Sequence, residues 1–150
     1  MKLTIKIIIA IAFLAALLFV VVWRVEKSYR GKLVVEREPI IYKDFVRLEN
    51  PLPHDRDYIT SPLVVRGSAR GNWFFEASFP IHLLDGNGKE IAVAVAQAQG
   101  EWMTTEYVPF EAILIFESPA TEDGTLILEK DNPSELPEHD DDFRIPIRFR

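Results

Sequence analysis

The sequence predicts an all-β protein: a small antiparallel β-sandwich of about seven strands, preceded by one transmembrane helix. Three observations predict it. Beyond residue 40 there is no long amphipathic helical stretch. Instead, short apolar alternations recur between turn residues, the pattern of a sandwich or barrel. Ahead of them lies a single uncharged run, Ile7–Trp23, 17 residues long. The chain has 150 residues, which suits one folded domain.

Ile7–Trp23 reads IIIAIAFLAALLFVVVW. A bilayer core of roughly 30 Å needs about 20 helical residues, and Leu3 and Thr4 extend the run. Lys6 and Arg24 can snorkel, and Trp23 suits the interface. The end FVVVWR is bulky and lacks a small-residue cleavage pattern, so an uncleaved anchor is expected rather than a cleaved signal peptide. The lipid bilayer is therefore the first expected partner. The layout becomes an anchor at 1–24, a charged connector at 25–40 and a sandwich at 41–150. Pro39 limits any helix in the connector.

Charge divides at the same place. The whole chain carries −6. Residues 1–32 hold six Lys or Arg and one acidic residue, so the remainder holds 11 basic and 22 acidic residues, a net of −11. An acidic outer domain excludes a broad nucleic-acid footprint. By positive-charge count the C-terminal side belongs in the cytoplasm. A very short tail before a long apolar run is also the layout of an anchor that exports its C-terminal domain. The residues alone support both orientations.

The strands follow in order. Ile41–Leu48 is the first, ending at the turn Asn50-Pro51-Leu52-Pro53. Leu63–Ala69 places Leu63, Val65, Gly67 and Ala69 on one parity. Trp73–Leu84 places Trp73, Phe75, Ala77, Phe79, Ile81 and Leu83 inward, with Phe74 and His82 outward. Pro80 marks that stretch as an edge or an interruption. Asp85-Gly86-Asn87-Gly88 is a hairpin turn, because Gly and Asn accept positive φ at low cost. Lys89–Gln97 returns, with Ile91, Val93 and Val95 expected inward. Phe110–Phe116 alternates through Ala112 and Leu114. Glu122-Asp123-Gly124 turns the chain into Thr125–Lys130. Phe143–Arg150 closes the domain, with Phe143, Ile145, Ile147 and Phe149 inward. Pro146 and the outward arginines blunt that strand against edge pairing, and the sequence does not fix an oligomeric state.

Four blocks in this order resemble a known family. They are Ser61-Pro62-Leu63-Val64-Val65-Arg66-Gly67-Ser68-Ala69; Trp73–Ala77 leading through Ile81–Asp85 to Gly88; Pro109–Ala112 followed by the Gly124–Leu128 strand; and an acidic loop before Ile145-Pro146-Ile147-Arg148-Phe149. From Leu48 to Arg150 the chain resembles the immunoglobulin-like domain associated with bacterial spore germination. The resemblance implies an immunoglobulin-like β-sandwich outside the cytoplasmic membrane, and a non-catalytic role in binding or assembly at the cell envelope. It also favours the exporting orientation. The germination proteins carry a separate partner domain and this chain carries an anchor, so germination itself is not implied.

Neither catalytic residues nor a cofactor are expected. There is no cysteine, hence no thiol nucleophile and no Cys-ligated metal. His54, His82 and His139 stand outside any metal-binding spacing. Nucleophile-elbow, phosphate-loop and dinucleotide motifs are absent. The hairpin turn fails as a calcium loop, because Leu83 and Ala94 fall where carboxylates are needed. The acidic loop offers Glu138, Asp140, Asp141 and Asp142 as oxygen donors for calcium or magnesium, although solvated loops commonly have this composition. Phe74, Trp102 and Tyr107 are the aromatic candidates for a partner surface, and Trp102 suits a cap over the sandwich end equally well.

The expected function is a membrane-anchored, extracytoplasmic binding module for a protein or cell-wall partner. An inhibitor or regulator of an extracytoplasmic enzyme is the alternative, and an envelope-bound hydrolase the third. An impermeant protease applied to intact cells should degrade residues 41–150. Protection until lysis would reverse the orientation.

Overall fold

Alternation of apolar and polar residues makes each strand two-faced, and the faces meet as two layers. A computed structural model describes residues 38–52 and 58–150. The Ile7–Trp23 anchor and nearly all of the 25–40 connector lie outside the described residues, as does His54. Among the described residues no helix is long and apolar enough to cross a membrane.

Eight strands form: β1 (Ile40–Tyr42), β2 (Val46–Asn50), β3 (Leu63–Arg70), β4 (Ser78–Asp85), β5 (Glu90–Ala98), β6 (Tyr107–Leu114), β7 (Asp123–Glu129) and β8 (Asp142–Arg148). Every strand pairing is antiparallel, in the order β1-β2-β3-β6-β5-β4-β7-β8. The β5–β6 junction is two residue pairs long, Gln97↔Glu111 and Ala98↔Phe110. There the sheet folds over itself. One layer is β1-β2-β3-β6 and the other β5-β4-β7-β8. Opposite the fold, Tyr42 stacks on Phe143 at 4.8 Å, and Ile59 bridges Phe149.

The core is the inward parity of these strands. Leu63, Val65 and Ala69 of β3, Phe79, Ile81 and Leu83 of β4, and Phe110, Ala112 and Leu114 of β6 are all buried. So are Leu126 and Leu128 of β7 and Phe143, Ile145 and Ile147 of β8. Phe79 meets Phe110 edge to face at 4.9 Å and Phe74 at 5.2 Å. Fully burying such a side chain contributes about 1.5–3 kcal/mol. Gly67 is required where it stands, because a Cβ there would strike the Arg47 carbonyl oxygen and come within 2.9 Å of Phe110 Cζ.

Five expectations change. The first strand is a hairpin: Lys43 and Asp44 turn the chain with φ of 45° and 60°, and Phe45 N–H donates to Tyr42 O at 2.7 Å. This raises the strand count from about seven to eight. Residues Gly71–Trp73 form a 3₁₀ turn rather than a strand, and β4 begins only at Ser78. The turn shifts the parity, so Phe74 is buried and Phe75 is exposed. Asp123 and Gly124 belong to β7 rather than to a turn. On β5, Val93 and Val95 face outward and are exposed, while Ala92, Ala94 and Ala96 lie beside Leu83, Ile81 and Phe79. Large β4 side chains fill the layer gap, so only alanine fits next to them. Pro80 sits in an interior strand. It lies one residue outside the ladder to β7, which begins at Ile81, so that ladder does not need the missing N–H.

The β5 correction is testable by urea denaturation of the full chain in detergent. Val93→Thr and Val95→Thr should each change stability by less than about 0.5 kcal/mol. Ala96→Val should overpack the core and cost about 1–3 kcal/mol. The opposite ranking would return the valines to the interior.

Candidate functional site

Strand direction gathers four connections at one end of the sandwich: the Lys43–Asp44 turn, residues 71–77, residues 99–106 and residues 130–141. Residues 51–52, 58–62, 86–89 and 115–122 lie at the other end. The chain enters β1 and leaves β8 at that other end as well.

The first end holds all the strained backbone among the described residues. Lys43, Asp44, Glu76, Ala77 and Glu135 are its non-glycine residues with positive φ. The left-handed conformation costs about 1–2 kcal/mol for an L-residue with a Cβ. Such strain persists where surrounding contacts over-determine it, and it concentrates at functional surfaces.

At Lys43 and Asp44 the contacts that hold it are specific. Asp44 accepts from Arg70 Nη2 at 2.7 Å and from the Tyr107 hydroxyl at 2.8 Å. The Arg47 and Arg70 guanidinium carbons lie 3.7 and 4.1 Å from the Tyr107 ring centroid. On the neighbouring residue, Lys43 Nζ donates to Asp141 at 2.9 Å and sits 4.8 Å from the Tyr42 ring centroid. Tyr42 also donates to Asp141, at 2.8 Å. One two-residue turn thus ties β3 and β6 through Asp44, and the β7–β8 loop through Lys43.

Protonation follows the contacts. The Tyr107 hydroxyl, then the Arg70 guanidinium, hold the Asp44 carboxyl below the ordinary carboxylate value. Burial favours the neutral form of Asp141, but hydrogen bonds from Lys43 and Tyr42 outweigh it and keep that carboxyl low. Asp131 moves the other way, raised by burial and by Glu76.

Three recesses surround this framework, and the exposed Asn72 lines all three. One of about 400 Å³ lies against Lys43, Asp44, Arg70 and Thr105. One of about 540 Å³ lies against Gly71, Phe74, Trp102 and Met103. A smaller one of about 160 Å³ lies between Phe45 and Trp73 and the acidic loop. Gly71 holds them close: a Cβ there would collide with the carbonyl oxygens of Trp102 and Thr104.

The expected site residues are partly assembled here. Trp102 packs half-buried on the core and lines the largest of these recesses. Tyr107 is the first residue of β6 rather than a loop residue, and it anchors the arginines. Phe74 is 4% exposed, held against Phe79, so it is a core residue with only a place in the recess wall. Glu138, Asp140 and Asp141 line the small recess, while Asp142 opens β8 and pairs with Arg144 at 2.7 Å. Asp141 is committed to Lys43 and Tyr42, and Asp140 accepts from Asn132 at 2.7 Å. Among the described residues no group of three or more His, Asp or Glu converges as a metal site.

Sequence reasoning missed Lys43, Asp44, Arg70, Asn72 and Met103. Tyr42-Lys43-Asp44-Phe45 does carry a turn signal, a charged pair inside an apolar run. Asn72 carries none, since its role comes from the three recesses that meet on it. The family model described as the immunoglobulin-like domain of bacterial spore germination matches residues 45–135. No curated protein and no solved structure matches the chain.

Because Asp44 is depressed in the folded state, its contribution is complete above the ordinary aspartate value of about 3.9. It is lost as pH falls through the lower folded value. Urea midpoints should therefore drop less between pH 4 and pH 2 in Asp44→Asn than in the parent chain. Parallel curves would refute the coupling.

Proposed function

The chain belongs to the family of immunoglobulin-like domains of bacterial spore germination, and from this premise we propose that it is a non-catalytic binding module, held at a membrane by Ile7–Trp23 with its sandwich extracytoplasmic. One observation supports this most: the convergence of four connections on Asn72, with three recesses between them. Sandwiches present binding loops at their ends because strands are committed to the core and loops are not. Met103 is 74% exposed at this end, beside a half-buried Trp102. An exposed methionine next to an aromatic anchor suits a protein surface better than a flat polar one. The partner in this reading is a protein or cell-wall component. Germination is no part of it.

A photo-crosslinking residue at Met103 in native membranes should give one discrete covalent adduct. The same residue at Glu117, exposed at the opposite end, should not. Equal labelling from both positions, or none from Met103, would defeat the proposal.

A further inference from the structure

The edge of a sheet presents backbone N–H and C=O groups that can pair with another strand, and short length, proline and outward charge are the usual defences against it. Three of the edges here are defended. β1 runs only from Ile40 to Tyr42. β6 pairs with β5 down to Glu111 and ends at Leu114, which leaves residues 112–114. β8 turns Arg144, Pro146 and Arg148 outward. β5 has none of these defences. It runs from Glu90 to Ala98 and meets β6 at Gln97 and Ala98 alone. Residues 90–96 therefore have β4 on one side and no described strand on the other.

Hydrogen bonds at the end of β5 fix the direction of its backbone groups. Ala98 N–H donates to Ala77 O at 2.9 Å, where the chain leads into β4, and Gln99 N–H donates to Pro109 O at 2.7 Å, on β6. Successive residues of a strand address opposite neighbours. Val93 and Val95 share the parity of Gln99, so their N–H and C=O groups point to the side that β6 has left. Their side chains are 51% and 54% exposed. Open backbone groups and exposed β-branched side chains thus coincide on the same two residues, the combination that an added strand covers.

Charge and symmetry select the occupant. The chain beyond residue 32 carries a net of −11, so two copies repel over most of their surface. Residues 91–100 are the domain's longest stretch without an acidic or basic side chain. A basic partner finds no carboxylate along this edge past Glu90, whereas a second acidic copy meets no repulsion there. The free stretch is also centred on Val93. Laid antiparallel on itself about a two-fold axis at that residue, it sets Val93 opposite Val93, Ile91 opposite Val95 and Glu90 opposite Ala96, with no like charges in register. Such self-complementary two-fold contacts are the commonest in oligomers. We infer that β5 is a dimerisation edge, to which a second copy of this chain adds its own β5 and joins the two β5-β4-β7-β8 layers into one sheet. The edge is a flank of the sandwich, apart from the recessed end.

The pairing is short, so covalent capture is the readout. The chain has no cysteine, so one introduced thiol is the only thiol of the full chain in detergent. Across the axis the two Val93 Cα atoms should stand about 5.5 Å apart, within disulfide range. The two Val95 positions should be offset by about 13 Å along the strands. Val93→Cys should therefore form a disulfide dimer under mild oxidation at least about tenfold faster than the equally exposed Val95→Cys. A mixture of Ile91→Cys and Val95→Cys chains should form the mixed disulfide. Val93→Lys sets two ammonium groups opposite each other, so it should lower the dimer fraction in sedimentation at least about tenfold. Its urea midpoint should stay that of the parent, because the side chain is exposed. Equal rates at Val93 and Val95 would mean chance collision and overturn the edge. A dimer that survives Val93→Lys would place the contact elsewhere, and a chain monomeric at every concentration would remove it. A Val93→Cys disulfide to a different protein would give the edge to that protein and equally defeat the two-fold pairing.

Discussion

The edge-to-face contact between Phe79 and Phe110 sets the spacing on which the rest of the sandwich depends. The two rings come from opposite layers and meet at 4.9 Å near the fold between β5 and β6. Their bulk dictates their neighbours. Gly67 must lack a Cβ because Phe110 lies over it. Ala96 pairs with Phe79 across the ladder, and the next inward positions of β5 are also alanine. The gap between layers is filled at near-crystalline density, so large residues on β4 and β6 force small ones on β3 and β5. With no cysteine in the chain, packing and pairing supply the cohesion without a disulfide.

Packing explains the ends less well than charge does. At the Asn72 end, the Lys43–Asp44 turn adopts a costly backbone and is held there by Arg70 and Tyr107 on Asp44 and by Asp141 on Lys43. These exposed pairs contribute little stability individually. Their effect is geometric: they fix where the loops stand and keep the recesses open between them. The opposite end has a conventional hairpin, in which Asp85 Oδ1 accepts from the Asn87 and Lys89 amides at 2.9 Å and Gly88 takes φ of 79°. Strain at one end and relaxed turns at the other fit a molecule with one working pole.

Legibility in the sequence followed the contrast between the two faces of each strand. On β3, β4, β6 and β8 the outward parity is mostly polar residues or prolines, with Val64, Leu84 and Ile113 as exceptions, and the inward residues were read correctly. On β5 both parities are apolar, Ala against Val, and ranking them by hydrophobicity chose the wrong face. Gln97 and Gln99 share the parity of Val93 and Val95 and mark it as outward. Around Trp73 the alternation looked continuous, but a 3₁₀ turn advances the register and exchanges the roles of Phe74 and Phe75. Of the aromatic candidates, Trp102 and Tyr107 stand at the recessed end and Phe74 lies in the core.

By itself the sequence determined an all-β domain, most of its core, its main hairpin and the family to which it belongs. The first three follow from periodicity and turn chemistry, which act between near neighbours, and the family from four motif blocks in order. Only the tertiary structure decided which face of β5 is buried, that the first strand is a hairpin, and that Lys43, Asn72, Trp73 and Glu138 meet at one pole. Each of these depends on what arrives from another strand. Side-chain volume across a layer gap, and charge across a loop cluster, are properties of pairs far apart in the chain, and no local pattern encodes them.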